Sequence, residues 1–338
     1  MSIQRFIVAS CFVLAVPGMF FGADPKGPQV PLGLLPVQFP KDNPYSPEKV
    51  ELGKLLYFDP RLSADGTVSC ASCHQPKFAY TDGDANSKGI KGQRGGRSAP
   101  TVINRAYSIA QFWDGRASSL EDQAKGPIQN PIEMGNTHEN MVRDMRGIAG
   151  YRILFKKVFG TEDFTVDHIA MAIATFERTV LSGNSAYDKF KAGDKKALTE
   201  AQYRGEHVYF GNANCDACHE GINFTSNSYN NLGVGSDKPN PDEGRYAVTK
   251  NPAEWGAFKT PTLRDIARTA PYMHDGSIKT LEEVVDFYDK GGIPNKNLDE
   301  KMKKLNLTGQ EKKDLVEFLK ALNGTSWQSI EEPTKFPQ

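Results

Sequence analysis

Cys70-Ala-Ser-Cys73-His74 and Cys215-Asp-Ala-Cys218-His219 are two copies of one five-residue pattern, and their reading decides the architecture of the chain. Cys-x-x-Cys-His is the attachment motif of c-type haem, in which two thiols form thioethers with the vinyl groups and the adjacent imidazole ligates the iron. One turn of chain brings both sulfurs to one porphyrin edge and leaves the His under the ring centre. A zinc knuckle or a dithiol pair is the alternative for paired cysteines, but neither needs a His directly after the second Cys at both places. With five Cys and six His in 338 residues, a chance match to the pattern is rare. Two covalently bound haem c groups are therefore expected.

Ahead of the motifs, Arg5 followed by the apolar run from Phe6 to Val16 reads as a secretory signal peptide, residues 1–23. The run is too short to span a bilayer, and Gly18, Gly22 and Ala23 offer small residues for cleavage. Val8-Ala-Ser-Cys11 has some likeness to a lipoprotein signal, but its cysteine comes too early in the leader. Covalent haem attachment takes place outside the bacterial cytoplasm, so a periplasmic location is expected. Loss of the leader leaves four Cys, all assigned to haem, and no disulfide is expected. Lys+Arg and Asp+Glu balance at 41 each, which argues against a nucleic-acid surface or an anionic membrane as partner. Residues 24–45 are rich in Pro and Gly and predict an extended arm.

Past the arm, helix signals dominate. Ser46-Pro47-Glu48 predicts a helix reaching about Phe58 with Pro47 in its first turn. Thr165 or Asp167 opens another, with Ala170, Ile173, Ala174, Phe176 and Val180 at helical spacing. Thr199 opens the helix leading to the second motif. Thr280 with Glu283 and Thr308 with Glu311 fit the capping box, and Gly324 is the expected end of the last helix. Long alternating strand patterns are missing, so the fold class is mainly α with long loops.

The two halves repeat each other. Gly53-Lys-Leu-Leu-Tyr-Phe58 precedes the first motif and Gly205-Glu-His-Val-Tyr-Phe210 the second. Downstream, Pro100-Thr101 aligns with Pro261-Thr262, Asp114-Gly115 with Asp275-Gly276, and Leu120-Glu121 with Leu281-Glu282, all at one offset of 161 residues. Two tandem haem modules follow, 46–195 and 196–326, with a tail at 327–338. At this offset the helix from Thr280 sets Leu281, Val284 and Tyr288 on one face, and the counterpart of Tyr288 is Pro127. A phenol oxygen can cap an iron and a proline cannot, so the first iron is expected to keep an open position.

The segments Gly53…His74, Ser98-Ala-Pro-Thr-Val-Ile-Asn104, Phe112-Trp-Asp-Gly-Arg116 and Ala270-Pro-Tyr-Met-His-Asp-Gly276 closely resemble the bacterial dihaem cytochrome c peroxidases, a superfamily that includes MauG, the maturation enzyme of methylamine dehydrogenase. The likeness covers nearly all of residues 45–326. It implies a periplasmic enzyme of two tandem c-type cytochrome domains, with haems flanking the domain interface. Carried over by position, His74 looks like the proximal ligand of the peroxidatic, low-potential haem and His219 that of the electron-transfer haem. Trp113 matches the relay between the haems, Gln123 and Glu133 the distal-pocket pair, and Pro127 the proline over the open face. Tyr288 falls where the peroxidases carry an axial Met and MauG an axial Tyr; Met273 and Met302 do not fit that register. Ser98, Thr269 and Pro271 match the ligands of an interdomain calcium, with Ser98 standing where the family has Asn. His274, equivalent to Trp113 in the repeat, is expected near the haems, whereas His138, His168 and His207 read as structural or exposed. Asp114 and Arg116 are expected to fix their turn.

Many of these peroxidases block the first haem with a His on a Gly-rich loop until the second is reduced. No His stands between His74 and His138 here; the matching stretch, Gly89 to Arg97, places Lys91 at about that point. Lys ligation needs a neutral amine. The glycines predict a mobile loop. The resemblance thus implies a peroxidase that reduces hydrogen peroxide to water with electrons from a small c-type cytochrome or cupredoxin. The missing loop His and the open first iron are expected to spare it reductive activation. The alternative is MauG-like oxidation of aromatic residues on a partner protein by two oxidised haems, and an electron-transfer cytochrome is a third reading. No integral membrane span is expected, and the resemblance admits a homodimer.

Overall fold

The computed structural model describes residues 27–338; the leader, with Cys11, lies outside them. Eleven α-helices are present among the described residues: α1 (Pro47–Phe58), α2 (Cys70–Cys73), α3 (Leu120–Gln129), α4 (His138–Gly147), α5 (Ala149–Phe159), α6 (Val166–Glu177), α7 (Ala186–Lys191), α8 (Glu200–Phe210), α9 (Tyr246–Thr249), α10 (Leu281–Asp289) and α11 (Gly309–Ala321). One short antiparallel pair, β1 (Tyr229–Asn230) with β2 (Phe258–Lys259), is the only sheet among them. The local signals act as written: Ser46 Oγ accepts from the Lys49 N–H, and Thr199, Thr280 and Thr308 close capping boxes with Gln202, Glu283 and Glu311. Thr165 caps α6, with His168 as its reciprocal partner. Gly324 plays a different part from the one expected. Helix α11 ends at Ala321, and Gly324 instead lets Ser182-Gly183 approach, since a Cβ there would meet Ser182 Oγ at 2.1 Å.

Two hydrophobic clusters form the cores. The first joins Leu52, Leu56 and Tyr57 of α1 to Ile169, Ile173 and Phe176 of α6; the second joins Val208 and Tyr209 of α8 to Leu315, Phe318 and Leu319 of α11. In each, a glycine sits at the helix crossing. A Cβ on Gly53 would stand 1.9 Å from the Ala172 carbonyl oxygen, and one on Gly205 the same distance from that of Asp314. Backbone lies on the far side of both contacts and cannot yield. Gly53→Ala and Gly205→Ala are therefore each expected to cost about 3 kcal/mol, read as a lowered denaturation midpoint with unchanged m-value.

Packing changes hands earlier than residue 195. Tyr187 of α7 belongs to the second cluster, edge-on to Phe224 and Phe318, and Asp188 forms a buried bidentate pair with Arg264. The termini cross modules too. The N-terminal arm pairs Leu32 with Asn184 and offers the Gly33 carbonyl to Arg264, and in the tail Trp327 packs edge-on to Tyr80 while Gln338 accepts from the Gly150 N–H.

The repeat is visible in the backbone. Asn104 and Asp265 are both left-handed (φ 58° and 57°), as are Phe112 and Met273 (65° and 72°). The bridges Gln111–Ala117 and Tyr272–Ile278 close equivalent turns ahead of α3 and α10. Across the seam, Ser98 N–H donates to the His274 carbonyl at 2.8 Å, and Lys259 N–H donates to the Trp113 carbonyl at 2.7 Å. Ser98 and Lys259 are repeat equivalents, and so are Trp113 and His274. The two hydrogen bonds are thus one contact made twice around a local pseudo-twofold axis.

Candidate active site

Each Cys-x-x-Cys-His segment is built in the same way. Tyr57 at the end of α1 donates its hydroxyl to the His74 carbonyl at 3.0 Å, and Tyr209 at the end of α8 donates to that of His219 at 2.5 Å. His74 Nδ1 faces the Tyr80 carbonyl at 3.3 Å, and His219 Nδ1 the Phe224 carbonyl at 3.1 Å. A ring whose Nδ1–H is held by a carbonyl presents Nε2 as a lone-pair donor, which is what an axial iron ligand needs. Burial holds both imidazoles neutral, lowering the pKa of His74 and taking that of His219 to about 4. All four cysteines are unpaired, and burial pushes their thiols upward, Cys73 and Cys215 to about 12. The side chains present therefore fit covalent haem at both motifs.

A cleft open to solvent is lined by His219. Leu281, Val284, Val285 and Tyr288 of α10 form one wall, as the helical spacing predicts. Burial raises the Tyr288 phenol pKa, and the nearby Cys215 and Cys218 thiols add to that shift. Met273 and Met302 line the same cleft. Ser98, Trp113, Thr269, Pro271 and His274 line it as well, so residues of both modules meet there. Trp113 Nε1–H donates to the Ser98 carbonyl at 2.8 Å. His274 lies flat on Phe258, ring centroids 3.7 Å apart, and burial takes its imidazole to about 4.

On the other module, α3 carries Gln123 and Pro127 four residues apart on one face, and the turn after it carries Glu133. Asn130 Nδ2 donates to Glu133 Oε1 at 2.8 Å. Burial raises the Glu133 carboxyl pKa, while Arg116 and Asn130 pull it down. Its charge also adds to the upward shift of both the Cys70 and the Cys73 thiol. Arg116 spans Asp114 (3.0 Å) and the Phe112 ring (3.5 Å to the centroid), and Arg97 joins Asp114 to Asp242. Arg116→Gln removes the cation that favours the ionised Glu133. With the carboxylate form as the working base, activity falls as pH drops through its pKa, so the acid limb of the pH–rate profile is expected to move upward. The pH dependence of peroxide turnover checks this.

The Gly-rich loop is tied down, contrary to the expectation of mobility. Ile90 is buried and its N–H donates to the Glu133 carbonyl at 2.9 Å, and Gln93 Nε2 donates to Pro131. Lys91 is exposed at its tip. The remaining histidines have local partners: His138 meets the Lys125 carbonyl, His168 caps α6, and His207 packs edge-on to Tyr203.

Three buried charges escaped sequence reasoning. Lys259 is the repeat equivalent of Ser98 and its pKa is lowered to about 6 by burial with help from Arg105; burial lowers Arg105 to about 10 and raises Glu177 to about 8. Extending the 161-residue alignment to Ser98 would have exposed the first as an unexplained cation at the seam.

The sequence profile of the family described as di-haem cytochrome c peroxidase matches residues 47–196. The chain is 42% identical over 289 residues to the methylamine utilization protein MauG of Methylorubrum extorquens, covering 85% of this chain and 81% of that one. It is 40% identical over 328 residues to cytochrome c551 peroxidase of Nitrosomonas europaea, covering 95% and 92%. Among solved structures, a MauG-like protein associated with microbial copper homeostasis superposes with a TM-score of 0.82 at 36% identity, over 89% of this chain and 96% of that one. Twin attachment motifs, a repeated module around each and relatives of this similarity lead to one conclusion: the chain belongs to the di-haem cytochrome c peroxidase family, oxidoreductases carrying two haem c groups.

Proposed function

We propose that this protein reduces hydrogen peroxide to water in the periplasm, taking electrons from a small c-type cytochrome or cupredoxin and needing no prior reductive activation. The observation that carries this reading is one repeat position with two different residues: Pro127 on α3 and Tyr288 on α10, at equivalent places in matching backbone. A proline leaves space for peroxide beside the first motif; a phenol directed into the second cleft caps it. The haem groups supply the redox-active iron that delivers electrons to the O–O bond.

The protein's own residues do the rest. Glu133 takes the proton from one peroxide oxygen and returns it to the other, so that the departing oxygen leaves as water. Its desolvation suits the task, because burial raises the carboxyl pKa and makes the carboxylate a stronger base toward the peroxide proton. Gln123, one turn before Pro127, holds the peroxide by its side-chain amide. Trp113, anchored by hydrogen bonds at both its indole and its carbonyl, passes electrons between modules. Two electrons and two further protons complete the conversion of one peroxide to two waters. The same reading places a calcium ion on Ser98, Thr269 and Pro271. These supply no carboxylate, and the Ser98 carbonyl already accepts the Trp113 N–H, which predicts weak binding.

Tyr288 favours a second reading, oxidation of aromatic residues on a partner protein, since a phenolate-capped haem accepts electrons less readily from high-potential donors. Steady-state peroxide consumption by the protein as isolated, with a reduced small cytochrome, separates the two. Fast turnover supports the peroxidase. A stable two-electron-oxidised protein that ignores the cytochrome supports tailoring of a partner.

A further inference from the structure

Lys259 and Arg105 stand at the seam between the modules, and among the described residues neither forms an ion pair with a carboxylate. Lys259 on β2 is 3% exposed and Arg105 is 8% exposed, and both line the cleft that contains His219, Trp113 and Tyr288. The Lys259 side-chain nitrogen makes no hydrogen bond or ion pair among the described residues. Arg105 spends Nε–H on the Thr101 carbonyl at 2.7 Å, and neither terminal amino group has a protein acceptor. Glu177 acts on Arg105 through its charge but forms no ion pair with it, and Glu177 Oε2 is itself buried without a partner. Buried cations are paired in stable proteins, because desolvation without an opposite charge is costly. Here two basic groups face one cleft, and with no opposite charge beside it Lys259 is driven toward its neutral amine.

The missing partner is an anion that the folded chain acquires. Haem carries two carboxylates on its propionate side chains, at the edge away from the thioether links. Arg105 is tied to the first site by geometry: it donates to the Thr101 carbonyl, and the Thr101 hydroxyl donates to the Ala79 carbonyl, next to Tyr80, whose carbonyl faces His74. Lys259 shares its cleft with His219. We propose that Lys259 and Arg105 form a carboxylate clamp, one cation from each module, that holds haem propionates at the seam. This rests on the presence of two haems, and holds for either reading of the reaction. The clamp also shares a backbone with the electron relay, because the Lys259 N–H is bonded to the Trp113 carbonyl. A cation beside a haem favours the added electron, so the clamp raises the reduction potential of the group it holds.

The test uses the two-haem protein, with haem counted per chain, in the wild type and in Lys259→Met, Arg105→Met and Lys259→Arg. Redox titration followed by absorbance is expected to show one haem in each Met variant harder to reduce. At the wild-type midpoint its ferrous-to-ferric ratio falls about tenfold, or about 59 mV for one electron. The holoprotein melts at lower temperature in both Met variants, because a propionate loses its counter-ion, and Lys259→Arg keeps both properties. Should Lys259→Met not accumulate, Arg105→Met and Lys259→Arg carry the same readouts. Unmoved potentials with an unchanged or raised melting temperature would mean that the cations are merely unpaired charges, and would overturn the clamp alone. Fewer than two haems in the wild type would overturn the two-haem reading, and the clamp with it.

Discussion

Glu133→Gln is expected to lower peroxide turnover by about 10²- to 10⁴-fold while both haems stay attached with unchanged spectra. The amide keeps the shape of the side chain and its contact with Asn130, whose Nδ2 donates to Oε1 at 2.8 Å. It cannot take a proton from peroxide, and it cannot return one to the leaving oxygen. Water is a poor substitute, since neither proton transfer would then be held in line with the O–O bond. Stopped-flow mixing with peroxide, followed by steady-state turnover with a reduced cytochrome, measures the loss. A drop of less than about tenfold would remove Glu133 from the role of acid and base. Glu133 lies in a turn tied to the Gly-rich loop through Ile90, so far-UV circular dichroism and melting should accompany the kinetics.

Tyr288→Met is expected to raise the reduction potential of the second haem strongly. Exchange of axial ligands moves haem potentials within a span of about 0.8 V, and replacing an anionic oxygen donor by a thioether removes charge that stabilises the ferric state. A rise on the order of several hundred millivolts is expected, with faster reduction by a high-potential donor and a shorter lifetime of the peroxide-oxidised protein. Met fits the space better than most residues because its chain is long and flexible, and the surrounding wall of Leu281, Val284 and Val285 is apolar. An unchanged potential would show that Tyr288 does not reach the iron. Tyr288→Phe, which has no ligating atom, should open the second site and give a high-spin signal by EPR in place of the low-spin one expected of the parent.

Much of this protein is legible along the chain, because the information is local. A Cys-x-x-Cys-His segment carries its ligands within five residues, and capping boxes such as Thr280 with Glu283 need only one turn of helix. The duplication is legible for the same reason, since an offset is counted without knowing the fold. It also carried the contrast between Pro127 and Tyr288 at one repeat position, on which the proposal of one open and one capped site rests.

Where pairing depends on segments far apart in sequence, local reading stops. The Gly-rich loop has the composition of a mobile segment, yet Ile90 packs into the first core and its amide reaches Glu133, more than forty residues away. Helix α7 lies within residues 46–195 in sequence but buries Tyr187 in the second core, where Phe318 and Arg264 complete its surroundings.

By itself, then, the sequence determined the two attachment motifs, the mainly helical modules and the residue types offered to each iron. Only the tertiary structure decided which charges are buried and what faces them. Lys259 and Arg105 look like ordinary surface cations in the sequence; they become a clamp because the fold brings β2 of one module against a loop of the other and leaves no carboxylate within ion-pair reach. Burial and pairing are sums over distant segments, and no short window of residues contains them.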